Sequence, residues 1–289
     1  MTVGIIGGSG VYEALDLEGE ATRYVETPFG EPSGRLTVGE LAGEEVVFLP
    51  RHGRNHTLDP TEVPYRANVH ALKQVGVERV LATNAVGSLR EDLPPRTLVL
   101  PDQYFDRTKH RPMSFFGDGV VAHLSMAEPY CPHVREHLHS CADATDAEVV
   151  DGGTYVCIEG PQFSTRAESE FYRANDWDVI GMTTVPEANL AREAELCYAP
   201  LTGVTDYDVW REQSVTLSEV QKHAAANESA INAVLERAIR DLPDERDCDC
   251  GSALAGAVTT PPEAIPVETR KPLELLVGDY LNEAGADGL

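Results

Sequence analysis

Lysine is scarce in this 289-residue chain: it stands only at Lys73, Lys109, Lys222 and Lys271, and every other basic residue is arginine. With 48 acidic residues against 23 basic ones, the formal net charge is −25. Such a surface repels a polyanion, which disfavours nucleic acid as a partner. The acid is spread along the chain rather than gathered in one tail, so no disordered acidic arm is expected. Self-repulsion of this size loosens a compact state unless salt screens it, and at molar salt the Debye length is about 3 Å. The composition predicts a protein of a salt-rich cytosol, as in an extreme halophile; a merely acidic mesophilic enzyme is the alternative, and it explains the missing lysines poorly.

Other absences narrow the field further. No run approaches the ~20 apolar residues that cross a bilayer, and the first residues carry no basic, apolar leader, so a cytoplasmic protein with no membrane partner is expected. Six cysteines are too few for a disulfide scaffold at this length. Cys131, Cys141, Cys157 and Cys197 lie singly and read as small buried hydrophobes, whereas Cys248 and Cys250 form a "CDC" pair. The glycines of "GIIGGSG" do not complete a dinucleotide fingerprint, because Glu13 stands where a third glycine is needed after Gly8 and Gly10. No Gly-Lys-Ser/Thr follows, so a Walker A loop is absent too. His52 and His56 have metal-like spacing, but Gly53 and Asn55 between them do not favour a helix and no third ligand accompanies them. A zinc site at this pair is not expected.

What is present is an alternation of strand-like and amphipathic stretches. Strands are expected at 2–7, 22–28, 35–41, 44–50, 78–86, 97–103, 154–160, 178–183 and 197–206. Helices are expected at 64–75, 130–142, 165–175, 185–195 and 216–240. The order predicts one α/β domain over residues 1–242, with a central mixed sheet flanked by helices. Residues 243–289 read as a Pro- and Gly-rich connector and a short final helix, packed on the same domain.

The polar residues fall in a pattern. Beyond the carboxyl ends of strands in an α/β sheet lies the usual ligand crevice. Five strands here run straight into small or polar residues: Gly7-Gly8-Ser9-Gly10, Arg51-His52-Gly53-Arg54, Thr83-Asn84-Ala85, Met182-Thr183-Thr184 and Thr205-Asp206-Tyr207-Asp208. Ser9, Arg51, His52, Asn84 and Thr183 together suit an oxyanion, with a guanidinium, an imidazole, hydroxyls, an amide and glycine-turn N–H groups. Asp206 and Asp208 share a strand face and offer a carboxyl group to a purine ring nitrogen or amine. Taken singly, each has a structural reading: Arg51 as a salt-bridge partner, His52 as a loop histidine, the aspartates as a solvated turn.

The segments "GIIGGSG", "TPFGEPS", "RHGRNH", "GSLRED", "MAEPYCP", "IEGPQFSTRAES", "MTTVPEANLAREAELCYA" and "TDYDVW" resemble, in order and over about residues 3–240, the purine nucleoside phosphorylase superfamily, and specifically its 5′-methylthioadenosine phosphorylases. The resemblance implies a homotrimer or homohexamer that uses phosphate as co-substrate and needs no metal and no organic cofactor. It implies phosphate binding by Ser9, Arg51, His52, Asn84, Ala85 and Thr183. Met182 would lie under the ribose, Phe163 would stack on the base, and Ser164, Asp206, Tyr207 and Asp208 would surround the purine edge. His123 would come from a neighbouring subunit, and Leu217 and Val220 would line an apolar 5′ pocket. Asp206 would be the acid that protonates the leaving purine, its pKa raised by burial and by Asp208. The "CDC" pair resembles a cysteine-bearing tail of archaeal thermophilic relatives, in which such a pair can form a disulfide; a reduced pair is the alternative. A 6-oxopurine phosphorylase is the nearest competing activity, and "TDYD" favours an amino purine over it; a non-catalytic nucleotide-binding module is the remote one.

Overall fold

The computed structural model describes residues 2–8, 11, 15–211 and 215–283. Among them an eleven-stranded mixed sheet runs β2 (Glu18–Arg23), β3 (Leu36–Leu41), β4 (Glu44–Pro50), β1 (Thr2–Gly7), β5 (Val77–Ser88), β10 (Val179–Gly181), β9 (Thr154–Ile158) and β7 (Gln103–Arg107). A branch from β5 continues through β11 (Cys197–Asp206) and β6 (Leu98–Leu100) to β8 (Val149–Asp151). Strands β1 and β4 are short Val/Ile/Leu runs buried on both faces, as parallel strands between helical layers must be.

Side-chain alternation divides the core. Ile6, Val47, Leu49, Val80 and Ala82 face one side, with α1 (Tyr65–Gln74), α4 (Thr184–Glu193) and α6 (Val267–Glu283). Val3, Ile5, Val46, Phe48 and Leu81 face the other, with α2 (Pro132–Asp143) and α5 (Leu217–Arg240). A shorter helix, α3 (Arg166–Arg173), opens on a capping box in which Thr165 and Glu168 satisfy each other's backbone N–H. The segment after Leu242 sends Leu254, Ile265, Leu273, Val277 and Leu281 into the first of these cores.

Three expectations change. The strand expected at 22–28 lies at Glu18–Arg23, an exposed edge strand whose register is set by pairing with β3 rather than by an apolar face of its own. The run expected at 97–103 is two strands, because the chain leaves β6 at Pro101-Asp102 and enters β7, which pairs with β9 instead. Cys131 and Cys197 are buried, as expected of small hydrophobes, but they do not lie singly: their sulfurs meet those of Cys248 and Cys250. Sequence spacing could not reveal this, since the four residues are brought together only by tertiary packing.

Gly181 ends β10 against the ring of Tyr155, and a Cβ there would lie 1.9 Å from the Tyr155 hydroxyl. Gly181→Ala is therefore expected to lower stability by an overpacking cost of about 1–3 kcal/mol. The double variant Gly181→Ala/Tyr155→Phe should recover part of it. Thermal unfolding of the three proteins checks this, and an unchanged midpoint for Gly181→Ala contradicts it.

Candidate active site

Strand β5 is longer than its neighbours, and the site arises from that mismatch. One edge of β5 pairs with β11 from Arg79 to Gly87. The opposite edge pairs with β1 only as far as Ala82 and with β10 only from Gly87. Thr83-Asn84-Ala85-Val86 thus has no strand beside it on that edge among the described residues. A cavity of about 730 Å³ opens there and is lined by all four.

Arg51, just past β4, forms one end. It is 2% exposed, and its Nε and Nη2 donate to the two carboxylate oxygens of Glu187 on α4 at 2.7 and 2.8 Å, while Nη1 donates to the Thr83 carbonyl at 2.8 Å. The Tyr198 hydroxyl donates to the same carboxylate at 2.8 Å. Burial disfavours the charged guanidinium, but Glu187 outweighs it and holds the pKa of Arg51 above its usual value. Three of its five N–H groups are used in these bonds, and the side chain still lines the cavity. The salt-bridge reading and the oxyanion reading of Arg51 are therefore compatible.

Beside it, Asn84 Nδ2 donates to Thr183 Oγ1 at 2.7 Å, which leaves the Thr183 hydroxyl proton free to point elsewhere. Thr183 precedes α4 without capping it through its side chain. The His52 imidazole has its Nδ1 3.0 Å from the Leu58 carbonyl and stacks on His56 at 4.4 Å. A carbonyl can only accept, so Nδ1 carries the proton and neutral His52 keeps a lone pair on Nε2. Burial, with the Arg51 charge second, pushes the His52 pKa down to about 4, so the ring is neutral at neutral pH.

The other end belongs to Asp206. Its carboxylate accepts from Thr205 Oγ1 and from the Asp208 backbone N–H, each at 2.7 Å. Burial is the main cause that raises its pKa. The Asp208 backbone N–H lowers it and the nearby Glu219 charge raises it, while the repulsion between the two aspartate carboxylates raises the pKa of Asp208. Gly87 permits the close approach: a Cβ there would lie 2.8 Å from Asp206 Oδ1. Asp208 is buried in a left-handed turn at φ +49°, faces the Ser169 and Ser164 hydroxyls, and has a raised pKa chiefly from burial. Asn84 and Gly87 are three residues apart on β5, so about 10 Å separates the Arg51–Thr183 end from the Asp206 end.

Arg51, His52, Asn84, Ala85, Phe163, Met182, Thr183, Asp206, Asp208, Leu217 and Val220 all line this one cavity. Ser164 is buried behind Asp208 rather than at the cavity wall. Tyr207 does not line it; its ring packs edge-on against Trp210 and under Arg211. His123 is exposed on a loop, its N–H bonded to the Ala257 carbonyl, away from the cavity of its own chain. Ser9 lies outside the described residues.

Two residues that position the site were not anticipated. Glu187 reads in sequence as one more acid in a helix. Arg111 lies in a loop, yet it is buried and donates to the carbonyls of Met182, Val185 and Glu159 at 2.6 Å each, fixing the turn that carries Met182 and Thr183. The only signal for either was a charged residue beside an apolar run, which is too common to single them out.

Residues 2–240 match the family model described as Phosphorylase superfamily. An S-methyl-5′-thioadenosine phosphorylase of Koribacter versatilis is 46% identical over 98% of this chain and 98% of its own length. One from Pyrococcus furiosus is 50% identical over 87% of this chain and 97% of its own. A methylthioadenosine phosphorylase from an antarctic soil metagenomic library superimposes with a TM-score of 0.89 at 47% identity, covering 95% of this chain and 98% of that one. A solved Schistosoma mansoni adenosine/methylthioadenosine phosphorylase variant in complex with methylthioadenosine is similar at 38% identity and a TM-score of 0.79, covering 85% of this chain and 93% of that one. By these likenesses the chain belongs to the phosphorylase superfamily and, within it, to the S-methyl-5′-thioadenosine phosphorylase family.

Proposed function

We propose that the protein cleaves S-methyl-5′-thioadenosine with inorganic phosphate, releasing adenine and 5-methylthioribose 1-phosphate. The observation that carries this is the single cavity with donors for an oxyanion at one end and, about 10 Å away, a buried carboxyl group whose pKa burial raises, with room for one ribose between them. The activity for which the relatives are named supports the same reading.

In this reading the Arg51 N–H groups left over from Glu187, the Thr183 hydroxyl and the unpaired β5 edge at Asn84-Ala85 hold hydrogen phosphate. Neutral His52 accepts the phosphate O–H at Nε2. Phe163 covers the base, and Met182 lies beneath the sugar with its carbonyl tied back by Arg111. As the C1′–N9 bond breaks, its electron pair goes to the purine, and protonated Asp206 delivers its proton to N7. A phosphate oxygen then bonds to C1′ from the opposite face, its negative charge stabilising the oxocarbenium-like sugar. The proton lost by hydrogen phosphate balances the one gained by adenine. Thr205 suits this cycle, because its hydroxyl reaches both Asp206 Oδ2 at 2.7 Å and the Val86 carbonyl at 3.2 Å. It can donate to the ionised acid, or accept from the protonated acid and donate to Val86. The chemistry asks for no metal and no organic cofactor, since phosphate is the nucleophile and a carboxylic acid activates the leaving group.

Leu217 and Val220, at the start of α5, face the 5′ end, where a methylthio group gains from apolar contact. In a homotrimer or homohexamer, His123, which is exposed in the single chain, would complete the 5′ pocket of a neighbouring copy.

Incubation with methylthioadenosine, methylthioinosine and inosine, with and without phosphate, tests the reading. Free adenine released only in the presence of phosphate is expected, with the highest kcat/KM on methylthioadenosine; phosphate-independent release, or preference for inosine, contradicts it. Asp206→Asn should lower kcat at least about tenfold while phosphate binding persists, since an amide donates a hydrogen bond but no proton. Activity of the unaltered protein should fall as pH rises through the raised pKa of Asp206, and this alkaline limb should vanish in the variant. Unchanged turnover would remove Asp206 from the role.

A further inference from the structure

Far from the cavity, four cysteines meet. Cys131 is the residue before α2, Cys197 begins β11, and Cys248 and Cys250 flank Asp249 at a 3-10 turn, Asp249–Ser252. Their sulfur atoms all lie within 4.8 Å of one another, with Cys197 and Cys248 at 3.3 Å. Four sulfurs bound to one zinc at about 2.3 Å stand about 3.8 Å apart at the corners of a tetrahedron, so the cluster already has that size. Cys131, Cys197 and Cys250 are buried and Cys248 is half-exposed, which leaves one approach from solvent. Among the described residues this is the one group of three or more potential ligands within such reach.

The surroundings match a charged centre better than four neutral thiols. Arg192 Nη1 donates to Cys250 Sγ at 3.5 Å, and the Arg246 guanidinium faces Cys197. Four thiolates, one divalent cation and two guanidinium groups sum to zero charge, the balance a buried site needs.

We propose that Cys131, Cys197, Cys248 and Cys250 form a structural zinc site that fastens the C-terminal segment to the core. Binding displaces the thiol protons, and the four thiolates fill the coordination sphere, leaving no open position for catalysis. The site clamps the segment just before it crosses to the opposite face to supply Leu254, Val277 and Leu281. Strand β11 has Cys197 at one end and Asp206 at the other, about 30 Å away by strand rise, so the metal acts on stability and not on the reacting atoms.

The test is metal analysis of the protein purified without chelator, together with intact mass after alkylation under non-reducing, unfolding conditions. One zinc per chain and six alkylatable thiols are expected. A strong chelator should lower the thermal midpoint, and zinc but not magnesium should restore it. Cys250→Ser should lose the metal while the control Cys141→Ser keeps it. Disulfides among the four residues, or four free thiols in a metal-free protein whose midpoint ignores chelator and zinc, would overturn the proposal even if Cys250→Ser failed to fold.

Discussion

Arg51 and Glu187 stand 136 residues apart, and both are almost completely removed from solvent. Their bidentate contact joins the end of β4 to α4, and the bonds to Thr83 and Tyr198 bring in β5 and β11. These are the elements that enclose the cavity, so the pair acts as a structural strut and as part of the site. Removing one partner would strand a buried charge, a penalty of about 3–5 kcal/mol. The pair also tempers the charge of the site. Glu187 cancels much of the guanidinium's field, so in the proposed reaction the pull on phosphate would fall on short-range donors: the two remaining N–H groups, the Thr183 hydroxyl and the β5 edge that has no strand beside it among the described residues. A net charge of −25 repels any anion at a distance, and close, directional donors are less weakened by salt than that long-range field.

The second constraint is backbone proximity. The cavity exists because β1 stops pairing at Ala82 and β10 begins only at Gly87, and its acid stands close because Gly87 has no side chain to keep it away. Strand β11 runs through the centre of the molecule with its two ends given different chemistry, sulfur at Cys197 and a carboxyl group at Asp206. Fastening the first end where the C-terminal segment arrives steadies the strand that carries the second.

Much of this was legible in the sequence, and the reasons differ by element. β1, β4 and β11 occupy the expected residues because each is a short β-branched or apolar run bounded by glycine, proline or polar residues. The helix expected at 216–240 appears at Leu217–Arg240, announced by the Thr216 cap. β2 was misplaced because "EGEATR" buries nothing and owes its strand form to β3. In the site, residues at strand ends could be read, since a polar group directly after a buried strand has few other places to go. Glu187 and Arg111 could not, because what marks them is burial and partners far along the chain. The cysteine cluster was hidden for the same reason: Cys131 and Cys197 become neighbours of the "CDC" pair only once the C-terminal segment folds back across the start of β11.

A crystal of the protein grown with methylthioadenosine and sulfate, the sulfate standing in for phosphate, would test the arrangement at its centre. Sulfate should lie against Arg51, Thr183 and the Asn84-Ala85 backbone, with purine N7 within hydrogen-bonding distance of the Asp206 carboxyl group and the ribose spanning the interval. Sulfate bound outside the cavity, or a purine whose N7 turns away from Asp206, would contradict it.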